Sequence, residues 1–439
     1  MAIQCEDARG LYQRCISTGV VEYFQKQAKL KVRRSIFTAQ VVIWLMILKW
    51  LERGTLATTL EALLWGAADP LLSGCERARQ KRISRNTGGF SHARQRLPKL
   101  LCKQVFCELV TRLREILHPG GGRRAYLLDG SSVELEASPG LRKSYPPAQN
   151  QHGVAHWPVL RILVLHELET GLAEEPRWGP MYGPQAVSEQ ALAEQAIEAL
   201  PKESIIVGDR NFGVFSTVWA AQQRDLGVVA RLSKQRANKV AKGPISQEGE
   251  QPATWEASRF DRRRKGGMPE GASVKGRLIA VRIGRGKSKE WLYLFTTLTL
   301  PMEEIIAIYG KRWRIETDLR SLKRTVKLHH IAARKESMME KELYAAMAAY
   351  NLVRAVMALA ARRHNLSPRQ LSFTFVLNVV NARWPRLQTA PDSESYQREV
   401  FDLLDAAAEG KHPKRNQQRS FPRSAWYRRH TFPARKQPS

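Results

Sequence analysis

The stretch IYGKRWRIETDLRSLKRT, Ile308 to Thr325, sets Glu316 among six lysines and arginines, with aromatic residues, Tyr309 and Trp313, on either side of Arg312. Laid on one α-helix advancing about 100° per residue from Tyr309, Arg312 falls at about 300°, Lys323 at about 320° and Glu316 at about 340°. These groups share one face. Ile308, Ile315, Leu319, Leu322 and Val326 fall between roughly 220° and 280°, an apolar stripe directly beside that face. Lys311, at about 200°, and Arg314, at about 140°, lie beyond the stripe on the side away from that row. The spacing therefore predicts a helix docked on the core with its Tyr/Arg/Glu/Lys row along the edge of the buried zone.

One carboxylate does not make a phosphodiester-cleaving site. Divalent-metal chemistry on phosphate needs several oxygen ligands, because two ions about 4 Å apart must be neutralised while attacking and leaving oxygens line up. Asp129, expected to close the strand AYLLD, and Asp209, expected to close SIIVGD, are the two further candidates. Each alone reads equally as an ordinary turn or cap residue, Asp129-Gly130 as a turn dipeptide and Asp209 before Arg210-Asn211 as a helix cap. Their joint occurrence with Glu316 is what points to a site.

The remainder of the chain fits a polyanionic partner. Its 439 residues carry a formal charge of +30, spread along the sequence, and counterion release rewards many dispersed Lys/Arg contacts with nucleic acid. Five scattered cysteines without a CxxC pair read as buried thiols in a reducing compartment. The N-terminus shows no secretory pattern, and Val41 to Leu48 is too short to span a bilayer, so it is expected to be a core helix of a cytosolic protein. His152, His156 and His166 lack a completing ligand for zinc and are expected in a loop lining the site or touching DNA. HPGGGRR, His118 to Arg124, lacks the GK[ST] ending of a phosphate-binding loop and marks a boundary.

Periodicity divides the chain into five parts. Residues 1–118 read as a helical, DNA-contacting region; in SHARQRLPKLLCKQVFCELVTRLREIL the apolar positions Val105, Phe106, Leu109, Val110, Leu113 and Ile116 leave Arg94, Arg96, Lys99 and Lys103 on a basic surface. Residues 119–213 read as strands plus a helix capped by Ser188, an α/β core with a mixed sheet. Residues 214–301 form a mostly β insertion, residues 302–363 carry the glutamate helix, and residues 364–439 are helical with an acid-free tail from Lys411, read as an arm touching phosphate.

The order Asp129, Asp209, Glu316, with Tyr309-x2-Arg312-x3-Glu316-x6-Lys323, resembles the DDE transposases of bacterial insertion sequences, specifically family four with its Y-R-E-K signature. DGSS, NQHGVAHWPVLRI, GDRNFG, LFTTL and RWRIETDLRSLK support the likeness, which runs from about Phe90 to Leu352. The resemblance implies a ribonuclease-H-like α/β core with a β-rich insertion between the second Asp and the Glu, flanked by helical N- and C-terminal regions. It implies that Asp129, Asp209 and Glu316 bind two Mg²⁺ or Mn²⁺ ions, that the enzyme cuts transposon ends through a hairpin, and that a homodimer pairs two double-stranded ends in a synaptic complex. Tyr309, Arg312, Lys323 and Arg320 would contact DNA, with Trp291 or Trp313 stacking on a flipped base. A related Mg²⁺-dependent endonuclease or resolvase on the same core, and a transposase-derived DNA binder that no longer cuts, are the alternatives.

Overall fold

The computed structural model describes residues 6–29, 35–72, 75–80, 82–151, 153–263, 267–284 and 290–412. Cys5, His152 and nearly all of the basic tail lie outside them. Ten strands form one sheet: β1 (Ala125–Leu135), β2 (Pro147–Asn150), β3 (Gly153–Glu167), β4 (Arg177–Pro180), β5 (Ile205–Gly208), β6 (Gly227–Leu232), β7 (Gly249–Glu256), β8 (Ser273–Ile283), β9 (Glu290–Thr296) and β10 (His330–Ile331). Their order is β2-β3-β1-β5-β6-β9-β8-β7, with β4 on β3 and β10 on β1. β5 runs parallel to β1 and to β6, whereas β3 and β9 join antiparallel.

The sheet is apolar on both sides because helices cover both. Along β1, Tyr126 and Leu128 pack with the helices Glu189–Ile197 and Phe215–Gln222, while Leu127 faces Ile305, Tyr309, Ile315 and Leu319. Alternation at period two produces this division. Ser188 is the expected N-cap: its Oγ accepts the Ala191 N–H at 3.1 Å.

A third core joins the N-terminal helices to the 28-residue helix Glu336–Arg363 and to Phe373–Thr389 and Ser393–Glu409. Glu336–Arg363 is long and apolar enough to cross a membrane, but its apolar window is wholly buried inside this protein. Alanines at 345, 346, 348 and 349 keep its surface thin, so Ala39–Leu51 and Lys99–Leu117 pack on it. The apolar run Val41 to Leu48 is a core helix, as its length implied.

Of the four residues expected on a basic surface, Arg96 is exposed without an acidic partner among the described residues, and the other three are paired. Arg94 is buried and pairs with Glu342, which also accepts from Lys49 and from Trp50 Nε1; Lys99 pairs with Glu340 and Lys103 with Glu175. Lys341 Nζ donates to the carbonyls of Arg94, Gln95 and Leu97, closing the C-terminal end of the helix Gly88–Arg96. Pro98 separates that helix from Lys99–Leu117, where the sequence read one continuous helix.

Candidate active site

Parallel pairing brings the two aspartates together. The pairing of β1 with β5 ends at Leu127 and Val207, two residues before Asp129 and Asp209, and the Asp209 charge acts on the Asp129 carboxyl. Asp209 directly follows β5 as expected. Asp129 does not close its strand: β1 continues to Leu135, pairing with β3 and then β10 after β5 has ended. Both aspartates follow the alternation of Leu127 and Val207, toward the face covered by the glutamate helix.

The loop after Asp209 is tightly held. The N–H groups of Phe212 and Gly213 donate to the Asp209 carbonyl, and the Asn211 N–H donates to Asp209 Oδ1 at 2.8 Å. Arg236 Nη1 donates to the carbonyls of Arg210 and Gly213, both at 3.0 Å. Only glycine fits at 213, since a Cβ there would collide with the Arg231 carbonyl of β6.

A carboxylate that the sequence reading passed over reaches the same place. Glu189, the first residue after the Ser188 cap, lies against Gly130, where any Cβ would overlap its side chain. Its Oε2 accepts from Asn211 Nδ2 at 2.6 Å, linking it to Asp209. Burial pushes the Asp129 carboxyl up to about 6, and the charges of Asp209 and Glu189 add to the rise while Arg312 and the Gly130 N–H oppose it. A helix-initiating Ser-Glu pair was visible in the sequence, but nothing in its spacing tied it to Asp129.

The quoted stretch is not one regular helix. It runs from the helix Met302–Gly310 through a 3₁₀ turn at Lys311–Trp313 and the helix Arg314–Arg320 into a π turn at Ser321–Thr325. The apolar stripe holds nevertheless: Ile315, Leu319, Leu322 and Val326 are buried and Ile308 is partly so. Lys311 and Arg314 do not stand free; both pair with Glu169.

Two members of the row are buried donors without a partner. Tyr309 is 6 % exposed with its Oη unmatched, and Arg312 is 8 % exposed with its Nε unmatched and its guanidinium 4.5 Å from the Trp313 ring. Buried donors of this kind call for an acceptor. Lys323 is half-buried, and burial followed by the charge of Arg324 holds its ammonium below the usual lysine range. Glu316 is exposed and, like Arg320, makes no hydrogen bond or ion pair with the described residues.

Trp313 stands 57 % exposed beside Arg312, while Trp291 is sandwiched between Tyr293, stacked at 5.7 Å, and the Arg282 guanidinium at 4.9 Å. His166 is no loop residue: it is fully buried on β3 beside Tyr350 and the Gly171 carbonyl, and burial drops it to about 4. His156 lies exposed on β3 against Trp157, also outside a loop.

The donors available for an ion are hard carboxylate oxygens, and a divalent cation would offset both the burial that chiefly raises Asp129 and the lesser repulsion from Asp209 and Glu189. Asp129 and Asp209 thus fit such an ion. Among the described residues no three His, Cys, Asp or Glu side chains close a metal site by themselves.

Comparison with known proteins agrees with this geometry. Residues 120–352, more than half of the chain, match the family described as the transposase DDE domain. The chain is also similar to the transposase InsG for insertion sequence element IS4 of Escherichia coli (strain K12), 27 % identical over 347 residues that cover 75 % of this chain and 74 % of that protein. The domain match over more than half of the chain shows the family: the chain belongs to the DDE transposases.

Proposed function

We propose that this transposase cuts insertion-sequence ends and joins them to target DNA with Asp129, Asp209 and Glu316 as its metal-holding carboxylates. The observation that carries the reading is that Asp129 and Asp209, two residues past the paired Leu127 and Val207, lie close enough for their charges and that of the buried Arg312, whose Nε is unmatched, to act on one another. The strand arrangement β4-β3-β1-β5-β6, with β1, β5 and β6 parallel, supports a ribonuclease-H-like core, and β7 to β9 extend it as the β-rich insertion.

Mg²⁺ or Mn²⁺, two ions in this reading, would supply an activated water or 3′-hydroxyl and neutralise charge at the scissile phosphate. The protein's part is positioning. Asp129 is fixed by its own strand and by the Gly130 N–H at 2.8 Å, and Asp209 by the Asn211 turn. Glu316 contributes the third carboxylate from the exposed side of its helix. Arg312 and Tyr309, buried and unmatched, take phosphate oxygens, with Lys323 adding a point charge and Arg320 a contact one turn beyond Glu316. Trp313, with more of its ring open than Trp291, is the better placed to stack on a flipped base during hairpin formation. The N-terminal helices 1–118 would read the terminal repeats, and a homodimer at the bacterial nucleoid would hold two ends together.

Linear DNA carrying the repeats that flank the gene tests this. With Mg²⁺ the protein should yield hairpin-ended product that EDTA abolishes. Simple nicks would mark an endonuclease instead, and a metal-independent gel shift without cutting would overturn both catalytic readings.

A further inference from the structure

Next to the glutamate helix lies a cleft of about 580 Å³ whose lining contains four arginines and no acid. Thr317, Arg320 and Ser321 form one wall, the segment around Ser367–Gln370 another, and Ser372–Thr374 the third. Two of the arginines are spent. Arg354 and Arg369 both donate to Asp318 Oδ1, and Arg369 also holds the Glu167 and Leu168 carbonyls. Arg314 is shared with Glu169. Arg320 is left as an exposed cation with no ion pair among the described residues, facing a cleft in which the buried Asp318 offsets only part of the arginine charge.

The third wall adds to this potential. Ser372 caps the 17-residue helix Phe373–Thr389 by accepting the Phe375 N–H, so the first N–H groups of that helix have no partner within it and its positive end opens on the cleft. Hydroxyls complete the rim: Thr317 is exposed, and Thr325 and Thr374 Oγ1 lie 3.0 Å apart. An oxyanion entering here meets cation, dipole and hydroxyls together.

We propose that this cleft is a second phosphate-docking site, taking the sugar–phosphate backbone of DNA where it runs on past the cleaved position. Arg320 makes the connection: it lies one turn from Glu316, so a strand whose phosphate sits at the Glu316 row needs to advance only around the same helix to reach the cleft. His412, the second residue of the acid-free tail, lines the same cleft. The proposal rests on Glu316 belonging to the catalytic row.

The test introduces charge without disturbing the fold. Thr374→Glu puts an acid in the first turn of a helix, which favours folding, and Ser393→Glu does the same at the helix Ser393–Glu409, on the order of 25 Å away past the length of Phe373–Thr389. Binding of the full chain to a 40-bp duplex is measured by fluorescence anisotropy across salt. Thr374→Glu should weaken binding about fivefold and reduce the salt slope by about one, with Arg320→Ala behaving alike and Ser393→Glu matching wild type. Unfolding curves should coincide for all four proteins. Equal behaviour of Thr374→Glu and Ser393→Glu would overturn the proposal, as would a loss of inorganic pyrophosphate binding with DNA affinity unchanged, which would make the cleft a small-anion pocket. Neither result touches the assignment of Glu316, which cleavage by Glu316→Gln decides.

Discussion

On one short helix, two residues apart, Glu316 stands in solvent with no partner among the described residues while Asp318 is fully buried between Arg354 and Arg369. Burial alone would raise the Asp318 carboxyl; Arg369 and Arg354 outweigh it and hold the group below the usual carboxylate range. Around them both guanidiniums are engaged, although Asp318 Oδ2 takes no hydrogen bond: Arg354 Nε donates to Tyr350 Oη at 2.8 Å, and Arg369 ties the helix to the end of β3. Just ahead of that helix the pattern reverses, with Tyr309 Oη and Arg312 Nε buried and unmatched at the end of Met302–Gly310 and in the 3₁₀ turn that follows. A charge-paired network fixes where the helix lies, and the buried donors of Tyr309 and Arg312, which lack a counter-charge or acceptor, are left for a ligand. The costs of removing each acid should differ accordingly.

The largest effect is expected at Glu316. Glu316→Gln keeps the shape and removes the charge, so cleavage should fall by about a thousandfold or more while the unfolding midpoint stays at the wild-type value, as for loss of a metal ligand. The converse belongs to Asp318→Ala, which leaves two buried guanidiniums uncompensated and should cost about 3–5 kcal/mol in denaturant unfolding. Loss of cleavage with no loss of stability in that variant would erase the distinction between the two acids.

Smaller effects sharpen it. Arg312→Ala should weaken binding of cleaved ends by about 1.5–3 kcal/mol in a gel-shift titration, the range for hydrogen bonds to charged groups. Trp313→Ala should slow hairpin closure by about 1–3 kcal/mol without affecting the first nick, whereas Trp291→Ala, whose ring is already covered, should leave closure rates near wild type. The mildest expectation concerns acid. Because the folded Asp318 is depressed, its contribution is complete above the ordinary aspartate range near pH 4 and is lost as pH falls through the folded value; an Asp318→Asn chain should show a flatter stability curve below about pH 4.

Much of this was legible from local pattern. The Y-R-E-K spacing located the row, the apolar stripe located its docking side, and the short run before Asp209 located a strand end, because each depends on neighbours within a few residues. What escaped depends on distant ones. Gly249–Glu256 shows no strand pattern of its own, containing Pro252 and standing exposed except near Trp255; its partner β8 alone makes it a strand. Asp129 looked terminal because Gly130 follows it, although five further residue pairs with β3, from Gly130 to Glu134, carry the strand onward. Asp318 gave one unused signal, an acid at the margin of an apolar stripe, which demands a buried counter-charge. Glu189 gave none, since its nearness to Asp129 and Asp209 comes from the packing of its helix against the sheet.

The central claim, that Asp129, Asp209 and Glu316 hold the catalytic ions together, is tested most directly by Mn²⁺ titration of the DNA-bound protein followed by electron paramagnetic resonance. Wild type should bind Mn²⁺ tightly; Asp129→Asn and Asp209→Asn should lose that binding and Glu316→Gln should weaken it, with DNA still bound in each case. Undiminished Mn²⁺ binding in all three variants would contradict the account.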